Sequence, residues 1–231
     1  MKKFINIILL IILIFSLYKV IYIFKEYITA DNIYTELQIE KENLISNNNI
    51  LDLTNINEDY IGWIEIPNTN ISYPIVQSID NDYYLDKDIY KNELSSGSIF
   101  LDYRNNNFFD SNSILYGHAM KNNTMFGDLK KFKEKYFFEE NKIITITKPN
   151  GEILKYKIFS VYVSNINDNY TQNYFYTSEE YKEFLNKILR NSLFLSNEDL
   201  HITDKILTLS TCSFESEISR LVVHAKLIDI S

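Results

Sequence analysis

Polar and apolar residues alternate in three different ways along this chain. From Phe4 to Tyr18 the sequence is apolar apart from Asn6 and Ser16, and after Lys19 a second apolar stretch runs from Val20 to Phe24. About 20 residues at about 1.5 Å rise cross a hydrocarbon core of about 30 Å, so this segment can span a membrane with Lys19 snorkelling to the interface. From Asp31 to Asn49 the positions Ile33, Leu37, Leu44 and Ile45 recur near helical spacing. With Asp31 as N-cap and Asn47-Asn48-Asn49 as stop, that spacing predicts a helix linking the first segment to the rest.

Beyond about residue 60 the pattern shifts to short β-type runs. They are Trp63 to Ile66, Ile71 to Val76, Ser98 to Leu101, Ser113 to Tyr116, Ile143 to Thr147, Ile153 to Val163, Ile206 to Leu209 and Leu221 to Ile228. Pro67-Asn68-Thr69-Asn70 and Pro149-Asn150-Gly151 separate neighbouring runs as turns do. Eight such runs predict a mainly β fold, a closed barrel or a sandwich. Two helical insertions interrupt them, one over Met125 to Glu140 and one over Ser178 to Asn191. The second starts at Ser178-Glu179-Glu180 and places Tyr181, Phe184, Leu185, Ile188 and Leu189 on one face. No internal repeat or composition shift marks a second domain. The expected organisation is a membrane segment over 1–25, a helical linker over 26–54 and one folded domain over 55–231.

Composition narrows the class. The 231 residues are 45% hydrophobic and 15% aromatic with only five Gly and three Pro, which excludes collagen-like and low-complexity chains. A net charge of -8, without clustered Lys and Arg, argues against a nucleic-acid partner. Lys2 and Lys3 precede the apolar segment, so the positive-inside rule places them in the cytoplasm and everything after about residue 25 outside. The favoured reading is an uncleaved signal anchor. The competing one is a cleaved signal peptide, with Ile28-Thr29-Ala30 as an imperfect cleavage site. Outside the cell a single cysteine, Cys212, suggests intermolecular pairing, a lipid attachment (though not at a lipobox, so near the C-terminus) or a working thiol, with a buried small hydrophobe as the bland alternative.

Other chemistries fail on inventory. His118, His201 and His224 are far apart in sequence and the one cysteine has no neighbouring ligand, so no metal or cofactor is expected. Glycine-rich phosphate loops and G-x-S-x-G are absent. Cys212 follows the run Ile206 to Leu209, at a strand end and hence at the rim of a barrel. A loop from Ser213 to Ser219 leads into a last strand opening with Arg220, and an antiparallel hairpin returns that guanidinium to the thiol. The bland reading of Arg220 is a surface residue balancing Glu215 or Glu217.

A thiol with pKa near 8.5 needs a cation or a base, and Arg220 cannot accept a proton, so the base is a histidine or a carboxylate. His118 also follows a strand end, after Gly117, whose missing side chain lets the chain turn sharply. His224 lies four residues into the last strand, where a packed structural histidine is commoner, and His201 reads as a surface residue. His118 therefore ranks first.

Three segments resemble the histidine, cysteine and arginine motifs of sortases, in order: Leu115-Tyr116-Gly117-His118-Ala119-Met120, Thr208-Leu209-Ser210-Thr211-Cys212 and Arg220-Leu221-Val222-Val223. Further matches resemble class B: Gly62-Trp63-Ile64, Ile71 to Gln77, Asp80-Asn81-Asp82-Tyr83-Tyr84-Leu85 and Met125 to Leu129, with the helix before the cysteine strand as the class B insertion. Ser213 departs from relatives that carry an acidic residue after the cysteine. The resemblance, over residues 56 to 231, implies an eight-stranded sortase barrel and a cysteine transpeptidase joining surface proteins to peptidoglycan. Cys212 would attack the threonine carbonyl of a C-terminal sorting signal, His118 would protonate the leaving amine and deprotonate the incoming one, and Arg220 would hold the substrate or oxyanion. Ser210 and Thr211 would add substrate contacts, with Tyr170 as a lid. The implied partners are surface proteins bearing the signal, a peptidoglycan precursor or cross-linking amine, and the membrane. The oligomeric state stays open.

Overall fold

The computed structural model describes residues 2–47, 49–165, 168–212 and 219–231, Cys212 by its backbone alone. Eight strands close into one barrel: β1 (Tyr60–Glu65), β2 (Ser72–Val76), β3 (Ile99–Leu101), β4 (Asn112–Tyr116), β5 (Ile143–Thr147), β6 (Ile153–Asn165), β7 (Ile206–Cys212) and β8 (Ser219–Ile230). Their order around the barrel is β1-β2-β3-β4-β7-β8-β6-β5. Of the two predicted architectures the barrel is the one adopted, and each of the eight runs becomes a strand. The barrel is mixed, with β2/β3 and β4/β7 parallel and the other pairs antiparallel. Closure leaves no open sheet edge and lets Trp63, Ile64, Ile75, Leu115, Ile146 and Leu209 fill one core.

One helix, α1 (Lys2–Ser46), runs without a break through the stretches that the sequence predicts as anchor and linker. Asp31 lies in its middle and caps nothing. Neither Gly nor Pro stands near Asp31, and a lone Asp costs only a few tenths of a kcal/mol relative to better helix formers, too little to end the helix there. At about 1.5 Å per residue its 45 residues reach about 68 Å. Residues Phe4 to Phe24 are exposed, with a mean hydropathy of 2.7 over the most apolar stretch. This part is long and apolar enough to cross a membrane.

The second half of α1 packs on the barrel through Ala30, Tyr34, Leu37 and Lys41, a stripe of alternating four- and three-residue steps. Of the apolar positions read from the sequence, Leu37 is buried, Ile33 and Leu44 flank the core, and Ile45 is exposed. Tyr34 Oη donates to Gly97 O at 2.6 Å and Gln38 Nε2 to Ser72 O at 2.9 Å. Lys41 pairs with Glu65 and sits 5.5 Å above the ring of Trp63. Apolar, polar and ionic contacts together fix the helix to β1, β2 and the loop before β3. The Asn48 of the predicted stop lies outside the described residues.

The insertion over Met125 to Glu140 is two helices, a 3-10 turn over Phe126–Lys133 and α2 (Lys135–Glu140), parted at Glu134, which adopts an extended backbone. The insertion before β7 is α3 (Ser178–Arg190). Its cap is Thr177, one residue earlier than expected, whose Oγ1 accepts from the Glu180 N–H at 3.1 Å. Tyr181, Phe184, Leu185 and Ile188 bury the inner face of α3 against Phe159 of β6 and Ile206 of β7, so the helix buttresses the cysteine strand from outside.

Candidate active site

Register alone assembles the predicted residues. The parallel pair β4/β7 aligns Tyr116 with Ser210, so two residues further along each chain His118 and Cys212 emerge side by side at the same barrel end. On the other flank of β7, the antiparallel pair β7/β8 sets Cys212 directly opposite Arg220. The cysteine thus lies between histidine and arginine in the order β4-β7-β8. The Cys212 thiol and residues 213–218, hence Ser213, Glu215 and Glu217, lie outside the described residues.

A pocket of about 270 Å³ opens at this end. Tyr116, Gly117 and His118 form one wall, Ser210, Thr211 and Arg220 another, and Asn81, Leu85 and Phe100 a third. A hollow of about 450 Å³ between α1 and the barrel is larger, but its lining contains neither cysteine nor histidine. Chemistry, not size, singles out the smaller pocket.

His118 is held by its surroundings. Its Nε2 lies 2.8 Å from Leu85 O. A carbonyl only accepts, so in the neutral ring Nε2 carries the proton and Nδ1 is the acceptor nitrogen. Its own carbonyl accepts the Phe126 N–H at 2.9 Å. The sequence assigned Gly117 to a sharp turn, and the structure corrects this, because Gly117 has no positive φ. The residue is glycine for space, since a Cβ there would lie 2.4 Å from Ile99 Cδ1 and 2.9 Å from Phe126 Cδ2. Gly97, at φ 56°, does need left-handed freedom, and its backbone packs so closely on Leu85 that a Cβ would lie 2.4 Å from the carbonyl that holds His118.

Arg220 is half-buried and donates from Nη1 to Ser219 O at 2.9 Å. Thr211 is buried at the pocket, and its Oγ1 has no hydrogen-bond partner among the described residues. Tyr170 does not line the pocket. It is buried with Tyr162 and Val222, and its Oη lies 3.0 Å from Ser210 Oγ, so it backs the Ser210 wall.

His224 is a packed histidine, as its strand position suggested, and His201 is exposed beside Asp199. Asn112 Nδ2 donates to the carbonyls of Tyr170 (3.2 Å) and Gln172 (2.9 Å), so Asn112 Oδ1 accepts from Thr208 Oγ1 at 2.6 Å. Thr208 Oγ1 then accepts from His224 Nδ1 at 2.9 Å, and His224 Nε2 accepts from Tyr162 Oη at 3.0 Å. Every role is spoken for by a neutral ring. Burial pushes its pKa down to about 3. The unfolded chain, with a histidine pKa near 6.5, binds the proton first, so stability is complete above about pH 6.5 and falls as pH drops toward 3. Urea unfolding at pH 7 and pH 5 is expected to show a loss of about 2 kcal/mol, with proton uptake of about one on unfolding at pH 5. A flat profile between those pH values would remove the neutral buried histidine.

Nothing in the sequence motifs points to Asp102, and Asn81 and Tyr116 stand in motif matches that assign them no role. Asp102 and Arg104 follow an apolar run two residues apart, and that spacing at a strand end was the available signal. Burial alone would raise the Asp102 carboxyl pKa, but hydrogen bonds from Arg104 and Tyr116 and the guanidinium charge together hold it below the usual range.

A closed eight-stranded barrel with a cysteine strand between histidine and arginine neighbours defines a class, the sortase-fold cysteine transpeptidases, and comparison with known proteins agrees. The family model described as Sortase domain matches residues 64–228. Sortase B of Listeria monocytogenes is 41% identical over 183 residues, 77% of this chain and 73% of that protein. The structure of Clostridium perfringens sortase B is 43% identical with a TM-score of 0.74, covering 77% of this chain and 98% of that one. A Staphylococcus aureus sortase B-substrate complex is 33% identical with a TM-score of 0.81 over 88% of this chain and 98% of that one. A sortase B complexed with triglycine, 33% identical, reaches 0.82 over 88% and 99%. The chain belongs to the sortase B family and is a cysteine transpeptidase.

Proposed function

We propose that this transpeptidase cuts a C-terminal sorting signal after its threonine and passes the acyl chain to an amine of peptidoglycan. The observation that carries the reading is the register that sets His118 and Arg220, which both line one pocket, on either side of Cys212. Cys212 thiolate attacks the threonine carbonyl carbon, and its electron pair forms the C–S bond while the carbonyl oxygen takes the negative charge. Arg220 faces that oxyanion. Collapse breaks the C–N bond, and His118 gives the leaving amine its proton. The incoming amine then loses a proton to His118, attacks the thioester and returns the thiolate. Ser210 and Thr211 contact the peptide. An unpaired buried hydroxyl such as Thr211 Oγ1 costs about 1–3 kcal/mol, part of which a peptide amide would recover. Tyr170 acts on substrate through Ser210.

The substrate-bound and triglycine-bound sortase B structures support an acyl donor and an amine acceptor in this family. The test is a panel of sorting-motif peptides, assayed with and without an amine acceptor, with products identified by mass. Transfer product that grows with the amine supports transpeptidation. Product release indifferent to the amine marks a tethered peptidase that uses water.

We assign residues 1–25 to the anchor, 26–54 to the linker and 55–231 to the catalytic domain, facing outward. A membrane-retained signal and a lipid-linked acceptor are confined near the outer leaflet, so tethering raises effective concentration. The anchor of this reading and the docked linker are one continuous helix, so the barrel would stand on a helical stalk. Removal of residues 2–24 is expected to leave peptide cleavage in solution within about twofold of the full chain while surface attachment in cells collapses. Equal attachment by the truncated chain, measured by wall fractionation, would count against the tether.

A further inference from the structure

Behind the pocket wall lies a buried carboxylate that the chemistry above does not use. Asp102 directly follows β3 and is fully buried, and its carboxylate accepts five hydrogen bonds. Its Oδ1 takes the Arg104 backbone N–H at 2.9 Å and Arg104 Nε at 2.8 Å. Its Oδ2 takes Arg104 Nη2 at 2.7 Å, Tyr116 Oη at 2.9 Å and Asn81 Nδ2 at 3.1 Å. Tyr116 and Asn81 both line the pocket beside His118 and Arg220. Arg104 Nη2 also donates to Thr171 O at 3.1 Å, tying in the segment that carries Tyr170 behind Ser210. One carboxylate therefore ties together the loop after β2, strand β4 and the segment before α3.

An ionised carboxylate has only acceptor sites, so each partner is forced to donate. Tyr116 must point its hydrogen at Asp102, which leaves its oxygen lone pairs as an acceptor for substrate. Asn81 must present Nδ2 to Asp102, and its Oδ1 accepts the Tyr103 N–H at 3.0 Å, so its amide cannot flip. The second Nδ2 hydrogen is then a donor of fixed direction. We propose that Asp102, clamped by Arg104, is a positioning residue that sets the hydrogen-bond polarity of this pocket, Tyr116 accepting and Asn81 donating. Such a pair reads one N–H and one C=O of an extended peptide and fixes its register before Cys212. The proposal rests on the pocket being the peptide site.

Asp102→Asn tests it in the full chain in detergent, with a sorting-motif peptide and an amine acceptor. The change nearly preserves volume but exchanges one acceptor oxygen for a donor nitrogen. The peptide KM is expected to rise about tenfold or more, with kcat within about threefold and alkylation of Cys212 by iodoacetamide within about twofold of the parent. Adding Asp102→Asn to a Tyr116→Phe, Asn81→Ala background is expected to raise KM little further, as it should for residues acting as one unit. A purely structural Asp102 would lower the thermal midpoint and leave KM, read well below it, unchanged. Should Asp102→Asn not fold, Arg104→Gln loosens the same carboxylate from its half-exposed side and is expected to raise KM in the same sense. If Tyr116→Phe and Asn81→Ala raise KM but the folded Asp102 or Arg104 variant does not, positioning is overturned and the pocket stands. If none of them moves KM, the pocket is not the peptide site and the proposal falls with it.

Discussion

Cys212→Ala is expected to reduce cleavage of a sorting-motif peptide by more than about a thousandfold, to the level of buffer, while the chain keeps its barrel. No other described group in the pocket replaces a thiolate. The hydroxyls of Ser210 and Thr211 have no activating base in contact, and Ser210 Oγ is engaged with Tyr170. The fold should survive because β7 is held along its length by β4 and β8, and the substitution at its last residue removes one sulfur atom without touching the ladder. The measurement is peptide turnover followed by mass, paired with a thermal midpoint. Cleavage near the parent rate with the fold intact would sink the covalent mechanism, and the native chain should in turn lose activity to a small alkylating agent in step with labelling of Cys212.

What could be read from the sequence follows from what is local. The strands announced themselves in two ways: Ile143 to Thr147 and the start of the run from Ile153 alternate as half-buried strands do, while Ile99 to Leu101 and Ser113 to Leu115 are short runs buried throughout. The rim placement of Cys212 and His118 followed from where apolar runs stop. Pairing was not local: β4 and β7 are parallel neighbours although Asn112 and Ile206 stand far apart in sequence, and no residue pattern states that adjacency. The same distance hid the Asp102 hub, whose partners come from Asn81, Arg104 and Tyr116 on separate elements. Asp31 misled in the opposite way. A capping residue type ends a helix only where the backbone leaves it, and with neither Gly nor Pro nearby the helix ran through. Gly117 shows a third limit, because a glycine needed for space and one needed for a turn look alike until Ile99 and Phe126 are placed around it.

Arg220→Ala is expected to have the other large effect, a fall in kcat of about a hundredfold or more, with peptide KM changed far less. Arg220 stands directly across the ladder from Cys212, at the strand end where the proposed mechanism puts the attacked carbonyl. A guanidinium neither gives up nor takes a proton in this chemistry, so the role proposed for Arg220 is charge and directed N–H donors, which would matter most when the carbonyl oxygen becomes an oxyanion. Removing one such donor raises a barrier by about 3 kcal/mol, which corresponds to that loss in rate. Arg220→Lys should restore only part of it, because an ammonium keeps the charge and loses the planar fork. A surface strand-end residue that merely balanced nearby carboxylates would behave otherwise: its removal would shift the thermal midpoint slightly and leave kcat within a few fold. Single-turnover acylation separates the two, since an oxyanion donor slows thioester formation itself even when the peptide is saturating and thiol alkylation proceeds at the parent rate.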